Sequence, residues 1–93
     1  MIDLETYAHR IGIPVSDLIS KSRETELVTA RQVYWHLMMK NGYTHREAGK
    51  LFNRDHATVV HGINKINDLM SIGYSYLKRY LDAIDDKNEV MKQ

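Results

Sequence analysis

Cysteine is absent from this 93-residue chain. Neither a disulfide framework nor a thiolate metal site is open to it, which suits a reducing cytosol. Proline occurs once, at Pro14, where it opens a short helix rather than breaking one. No apolar run approaches the roughly 20 residues that span a bilayer, and the opening Met1-Ile2-Asp3-Leu4-Glu5 is acidic where a signal peptide is basic and then apolar. A cytoplasmic protein that makes no membrane contact is expected. Long linkers, internal repeats and low-complexity stretches are missing as well. So is any Gly-x-x-x-x-Gly-Lys-(Ser/Thr) loop, which removes nucleotide binding from the expectations. No nucleophile–base pair or carboxylate dyad stands at a useful spacing, so an enzyme is not expected. His56 and His61 splay on one helix without a cysteine or a paired carboxylate beside them, so neither a metal nor another cofactor is expected.

Excess charge of one sign is also lacking. Thirteen Lys and Arg face twelve Asp and Glu, for a net charge of +1. The distribution says more than the total. Residues 1–19 carry −2, residues 20–65 carry +4 and residues 66–93 carry −1. The cationic surplus falls on the middle of the chain, although a mixed solvated surface accounts for charge alone equally well.

What is present is helical periodicity over a 43% apolar composition, enough for one small folded domain. Leu4, Tyr7, Ala8 and Ile11 share one helix face, and Gly12 closes that helix. Pro14 and a Ser16 N-cap start a short helix through Ile19. Ser20 to Thr25 is a polar loop. Glu26 to Lys40 forms a long helix with Ala30, Val33, Tyr34, Leu37 and Met38 inward, and Asn41-Gly42 ends it. Thr44 and Glu47 form a capping box for the next helix, which runs through Phe52. Asn53 marks a turn. Asp55 then caps a helix from His56 to about Met70, with Val59, Val60, Ile63, Ile66 and Met70 inward and Ala57, Thr58, His61, Lys65 and Asp68 outward. Two helices across so short a turn make a helix-turn-helix pattern. Gly73 separates a last helix from Tyr74 to about Val90. Its stripe of Tyr74, Leu77, Leu81, Ile84, Asn88 and Met91 is too short for a sustained coiled coil, so packing on the domain itself is expected. Homodimerisation with Asn88 as a register-setting polar position is the alternative.

The segment Arg54-Asp55-His56-Ala57-Thr58-Val59-Val60-His61 is close to a known signature, Arg-Asp-His-(Ser/Thr/Ala)-Thr-Val-(Leu/Ile)-His. Asp17 to Arg23, Ala30-Arg31-Gln32 and Glu47 to Phe52 match in order around it. On these residues the chain resembles the C-terminal DNA-binding domain, domain IV, of the DnaA family of bacterial replication initiators, over about three quarters of its length, Leu4 to Met70. The resemblance implies an all-α bundle with a helix-turn-helix related to that of the Trp repressor, spanning residues 1–72, followed by a C-terminal helical extension over 73–93. It implies a double-stranded DNA partner, with DnaA boxes of the TTATCCACA type bound by a monomer.

Residue by residue, the resemblance puts Asp55, His56 and Ala57 on major-groove base edges. A carboxylate can accept from cytosine N4, and His56 and Ala57 can meet thymine methyls. It puts Arg23 in the minor groove. Phosphate contacts fall to Lys21, Arg31, Lys50, Thr58, His61 and Lys65, and to Thr44, His45 and Arg46 where a helix N-terminus offers free N–H groups. The chain departs from the family in three places. Alanine stands at position 57, where a hydroxylated residue is frequent. The turn Phe52-Asn53-Arg54 is one residue short of the usual Phe-Gly-Gly-Arg. The loop Arg23-Glu24-Thr25-Glu26 is unusually acidic. These departures leave a second reading open, a protein-interaction module of the replication machinery that uses DNA weakly or not at all.

Overall fold

Local capping lays out the helices, and one central helix gathers them. A computed structural model of the chain describes residues 1–85. Helix α1 spans Leu4–Ile11, α2 Val15–Leu18, α3 Thr25–Lys40, α4 His45–Leu51 and α5 His56–Ser71. A 3-10 turn, Ser75–Leu77, leads into α6, Lys78–Ala83. The described residues contain no strand, and no helix among them is long and apolar enough to cross a membrane. The architecture is the all-α helix-turn-helix bundle expected.

Asp3 starts α1, its carboxylate accepting from the Thr6 N–H at 2.7 Å. The α2 helix begins one residue before the Ser16 expected to cap it. Pro14 holds the N-cap position, and its carbonyl accepts from Asp17 and Leu18, so the fixed proline φ does what a serine side chain was expected to do. The helix also stops at Leu18, with Ile19 as its C-cap.

The α3 helix is buried on more than one side. Ala30, Val33, Tyr34, Leu37 and Met38 face the core as expected, but Leu27, Thr29, Arg31 and Trp35 are buried too. The helix therefore has neighbours nearly all round rather than one apolar stripe. Tyr7, Tyr34, Phe52 and Trp35 form a chain of ring contacts through the core, with centroids 5.1–5.9 Å apart. Full burial of Phe52 stabilises by roughly 1.5–3 kcal/mol. Both phenols of this chain of rings donate to backbone, Tyr7 to the Ala30 carbonyl and Tyr34 to that of Ile2. Burial pushes the Tyr34 phenol up to about 12 and that of Tyr7 well above its ordinary value, so both remain donors at neutral pH.

Beyond Gly73 the expected continuous helix is shorter and broken. The α6 helix ends at Ala83 with Ile84 as its C-cap, and Asp85 is not helical. Leu77, Tyr80 and Ala83 join the main core, with Leu81 and Ile84 packed at its edge, whereas Tyr74 is exposed. Arg79 donates to the Ile11 carbonyl and pairs with Glu26, and Arg10 donates to the Ala83 carbonyl. The stripe therefore packs on the domain as far as Ile84. Asn88 and Met91, invoked for homodimerisation, lie outside the described residues.

Candidate nucleic-acid interface

The α4–turn–α5 unit is built from short-range hydrogen bonds. Thr44 Oγ1 accepts from the Glu47 N–H at 3.1 Å, and Glu47 Oε1 accepts from the Thr44 N–H at 2.9 Å. After α4 the chain folds back across its own helix. Asn53 adopts a left-handed backbone with φ of 56°, a conformation that asparagine tolerates better than most side chains. The Arg54 N–H then donates to the Gly49 carbonyl at 2.7 Å. A Cβ on Gly49 would lie 2.4 Å from the Arg54 carbonyl oxygen. Only glycine permits a crossing this close.

Asp55 sits at the head of α5 and accepts from the Thr58 N–H at 2.8 Å. The bonds from the Thr58 backbone and side chain hold its carboxyl below the ordinary carboxylate range, with His56 and His61 adding a smaller pull the same way. It is ionised at neutral pH and exposed. His56, Ala57 and Thr58 are exposed beside it. The first turn of α5 thus presents one carboxylate, one imidazole, one methyl and one hydroxyl to solvent. His56 is free of the apolar face it borders in a helical projection. Further along, His61 and Lys65 are exposed on the outer side, while Val59, Gly62, Ile63 and Ile66 are buried. Gly62 lets α5 lie directly on α3, since a Cβ there would come within 2.7 Å of the Trp35 ring.

The loop between α2 and α3 faces this helix across an open groove of about 620 Å³. Lys21 and Arg23 line it from the loop, Thr58, His61 and Lys65 from α5, and Arg54 from the turn that precedes α5. Six residues named from sequence therefore line one groove: Lys21, Arg23, Arg31, Thr58, His61 and Lys65. Asp55, His56 and Ala57 adjoin it at the head of α5. Thr44, His45 and Arg46 are exposed at the start of α4. Lys50 stands elsewhere, on a second groove beside Met1, Asp3 and Tyr43.

Arg31, which also lines the groove, is bound to the main chain. It is 3% exposed, and its guanidinium is committed to main-chain carbonyls. Nε donates to Leu18 at 2.5 Å, Nη1 to Ser22 at 2.8 Å, and Nη2 to Ser20 at 2.9 Å and Asp17 at 3.2 Å. Burial, and then the positive charge of Arg54, lower its proton affinity. The physical reason is geometric. A polar loop folded back on itself leaves carbonyls pointing inward, and the guanidinium fork satisfies several at once. Arg31 thereby holds the loop in place.

Arg54, Gly49 and Gly62 were missed as structural determinants of the site. The glycines carry a signal, since each interrupts an otherwise helical pattern and implies a close neighbour. The Arg54 and Arg31 side chains carry none, because the carbonyls that tie them to the α2–α3 loop lie 9–34 residues away in sequence. The described residues hold no group of His, Asp and Glu suited to a metal ion.

Residues 4–66 match the family model described as the bacterial dnaA protein helix-turn-helix. The chain is 35% identical over 85 residues to the chromosomal replication initiator protein DnaA of Oenococcus oeni, covering 89% of this chain and 19% of that protein. It is 31% identical over 74 residues to the DnaA of Pseudothermotoga lettingae, covering 78% and 17%. Against the DnaA of Thermotoga maritima it is 29% identical over 84 residues. The chain thus spans less than a fifth of the length of these relatives. No solved structure gives a significant match.

Proposed function

Because the chain belongs to the bacterial dnaA helix-turn-helix family, we propose that it binds double-stranded DNA and distinguishes base sequence, with no catalytic step and no nucleotide. The observation that carries this reading is one juxtaposition. The exposed head of α5, with Asp55, His56 and Ala57, stands beside a groove whose far side presents Lys21 and Arg23. In this arrangement α5 enters the major groove and reads base edges, with the Asp55 carboxylate accepting from a cytosine amino group. Arg23 enters the neighbouring minor groove, where a narrow A·T-rich stretch concentrates negative potential. Lys21, Thr58, His61 and Lys65 hold phosphates, which fix register without reading sequence. Thr44, His45 and Arg46 meet the backbone at the N-terminus of α4. Thr44 does so with its own N–H already given to Glu47, so the free donors there are those of the two residues after it. Lys50 contributes through charge at longer range.

The test is binding to a labelled duplex carrying TTATCCACA and to a scrambled duplex of the same composition, measured by anisotropy over a range of salt. Wild type should prefer the first. His56→Ala should cost about 1–3 kcal/mol on that duplex and little on the scramble. Lys65→Ala should weaken both alike and reduce the salt slope by about 0.9. Equal affinity of wild type for both duplexes would refute base reading.

A further inference from the structure

Two arginines converge on one carbonyl. The Ser20 oxygen accepts from Arg31 Nη2 at 2.9 Å and from Arg54 Nη2 at 2.5 Å, which its two lone pairs allow. Arg54 Nη1 donates in turn to the Phe52 carbonyl at 2.9 Å. A single guanidinium therefore spans from the turn of the helix-turn-helix to a loop 34 residues earlier. Arg31 grips the same loop from below, through Leu18 and Ser22. Between the held positions Ser20 and Ser22 lies Lys21, and Arg23 follows immediately. Neither arginine has a carboxylate within 4 Å among the described residues. The pair keeps its repulsion, and its geometry is maintained by hydrogen bonds to main-chain carbonyls and the Ser20 hydroxyl and not by charge neutralisation. A lysine has the charge but lacks the rigid fork that reaches two carbonyls at fixed separation.

Resting on the DNA reading above, we propose that Arg54 is a positioning residue: it sets the spacing between the Lys21–Arg23 loop and the head of α5, and so contributes to base-sequence preference through Arg23. Two elements that read different grooves must keep a fixed offset to match one site, and Arg54 is the strut between them. Its role depends on geometry, whereas a phosphate contact would depend on charge.

Arg54→Lys, Arg23→Ala and the double variant are compared with wild type on the TTATCCACA and scrambled duplexes, with melting followed to confirm folding. Arg54→Lys should lower the preference by about tenfold while leaving the salt slope unchanged. The double variant should be no worse than the worse single, because Arg23 misplaced and Arg23 removed are the same loss. In the free protein, Arg54→Lys should speed hydrogen exchange at the Ser22 and Glu24 amides, which donate to the Ser20 and Ser22 hydroxyls, and leave α5 amides unchanged. Retained wild-type preference in Arg54→Lys, multiplying losses in the double variant, or unaltered exchange in the loop would each overturn this role alone. A wild type indifferent to sequence would overturn the DNA reading itself, and the exchange measurement would still decide whether Arg54 holds the loop.

Discussion

Replacing Arg31 by methionine separates its two candidate roles sharply. Methionine keeps most of the buried methylene packing and removes the guanidinium. Four carbonyl contacts go with it, to Leu18, Ser22, Ser20 and Asp17. Hydrogen bonds to a charged donor are each worth about 1.5–3 kcal/mol. The sum overstates the loss, because the burial cost of the cation, several kcal/mol, is relieved at the same time. Ser20 and Ser22 are only half-buried, so water can reach their carbonyls, whereas Leu18 is fully enclosed. A net loss of about 3–4 kcal/mol follows. Against a total of roughly 5–14 kcal/mol for a domain of this size, the loss should lower the melting temperature by roughly 12–30 °C. Circular dichroism at 222 nm, checked by calorimetry, reads this directly. A variant that melts within about 3 °C of wild type, while its salt slope for DNA drops by about 0.9, would refute the reasoning and return Arg31 to the phosphate backbone.

Other perturbations test neighbouring parts of the same architecture. Gly49→Ala should destabilise by about 1–3 kcal/mol despite the better helix propensity of alanine, because the clash is with the Arg54 backbone and neither segment can yield cheaply; a variant as stable as wild type in urea would show that the crossing is looser than it looks. The Asp55 carboxyl lies below its ordinary 3.8 in the folded state. Its stabilising effect is therefore present above about 3.8 and is lost as pH falls through the lower folded value, and Asp55→Asn should flatten the acid limb of a stability profile. His36 acts in the same direction at higher pH: burial, then Lys40, depress its proton affinity below 6.5, against a bond with Asn67. The unfolded chain then takes up the proton first, so stability should decline as pH drops from about 6.5, and an unaltered profile in His36→Gln would contradict this.

How much of this could be read from the chain depended on the range of the interaction. The capping box of α4 and the Asp55 cap of α5 each involve partners three residues apart, and both were legible, whereas the Asp3 cap of α1, of the same range, was not named. The head of α5 and the loop cations were legible as interface candidates through resemblance to a family. Their meeting across one groove was not, because it depends on how α3 orients the loop. Ser16 and Pro14 compete for one capping position, and a side-chain rule chose the serine where the proline backbone already fits. The last helix was overextended because its stripe continues in sequence past Ala83, where the helix itself stops. Arg31 shows the deeper limit. Its place on phosphate was expected from the family resemblance, and only three-dimensional packing reveals the carbonyls of Leu18, Ser20, Ser22 and Asp17 around it.

The reciprocal latch between α1 and α6 bears on how the protein is made. Arg10 leaves the ribosome long before the Ala83 oxygen that it binds exists, and Ile11 waits as long for Arg79. During synthesis the first helix must therefore stay provisional, its apolar side covered only by α2 and α3. Neither bond can close before the sixth helix has emerged. A nascent chain stalled short of residue 79 would lack both bonds between its first and last described helices.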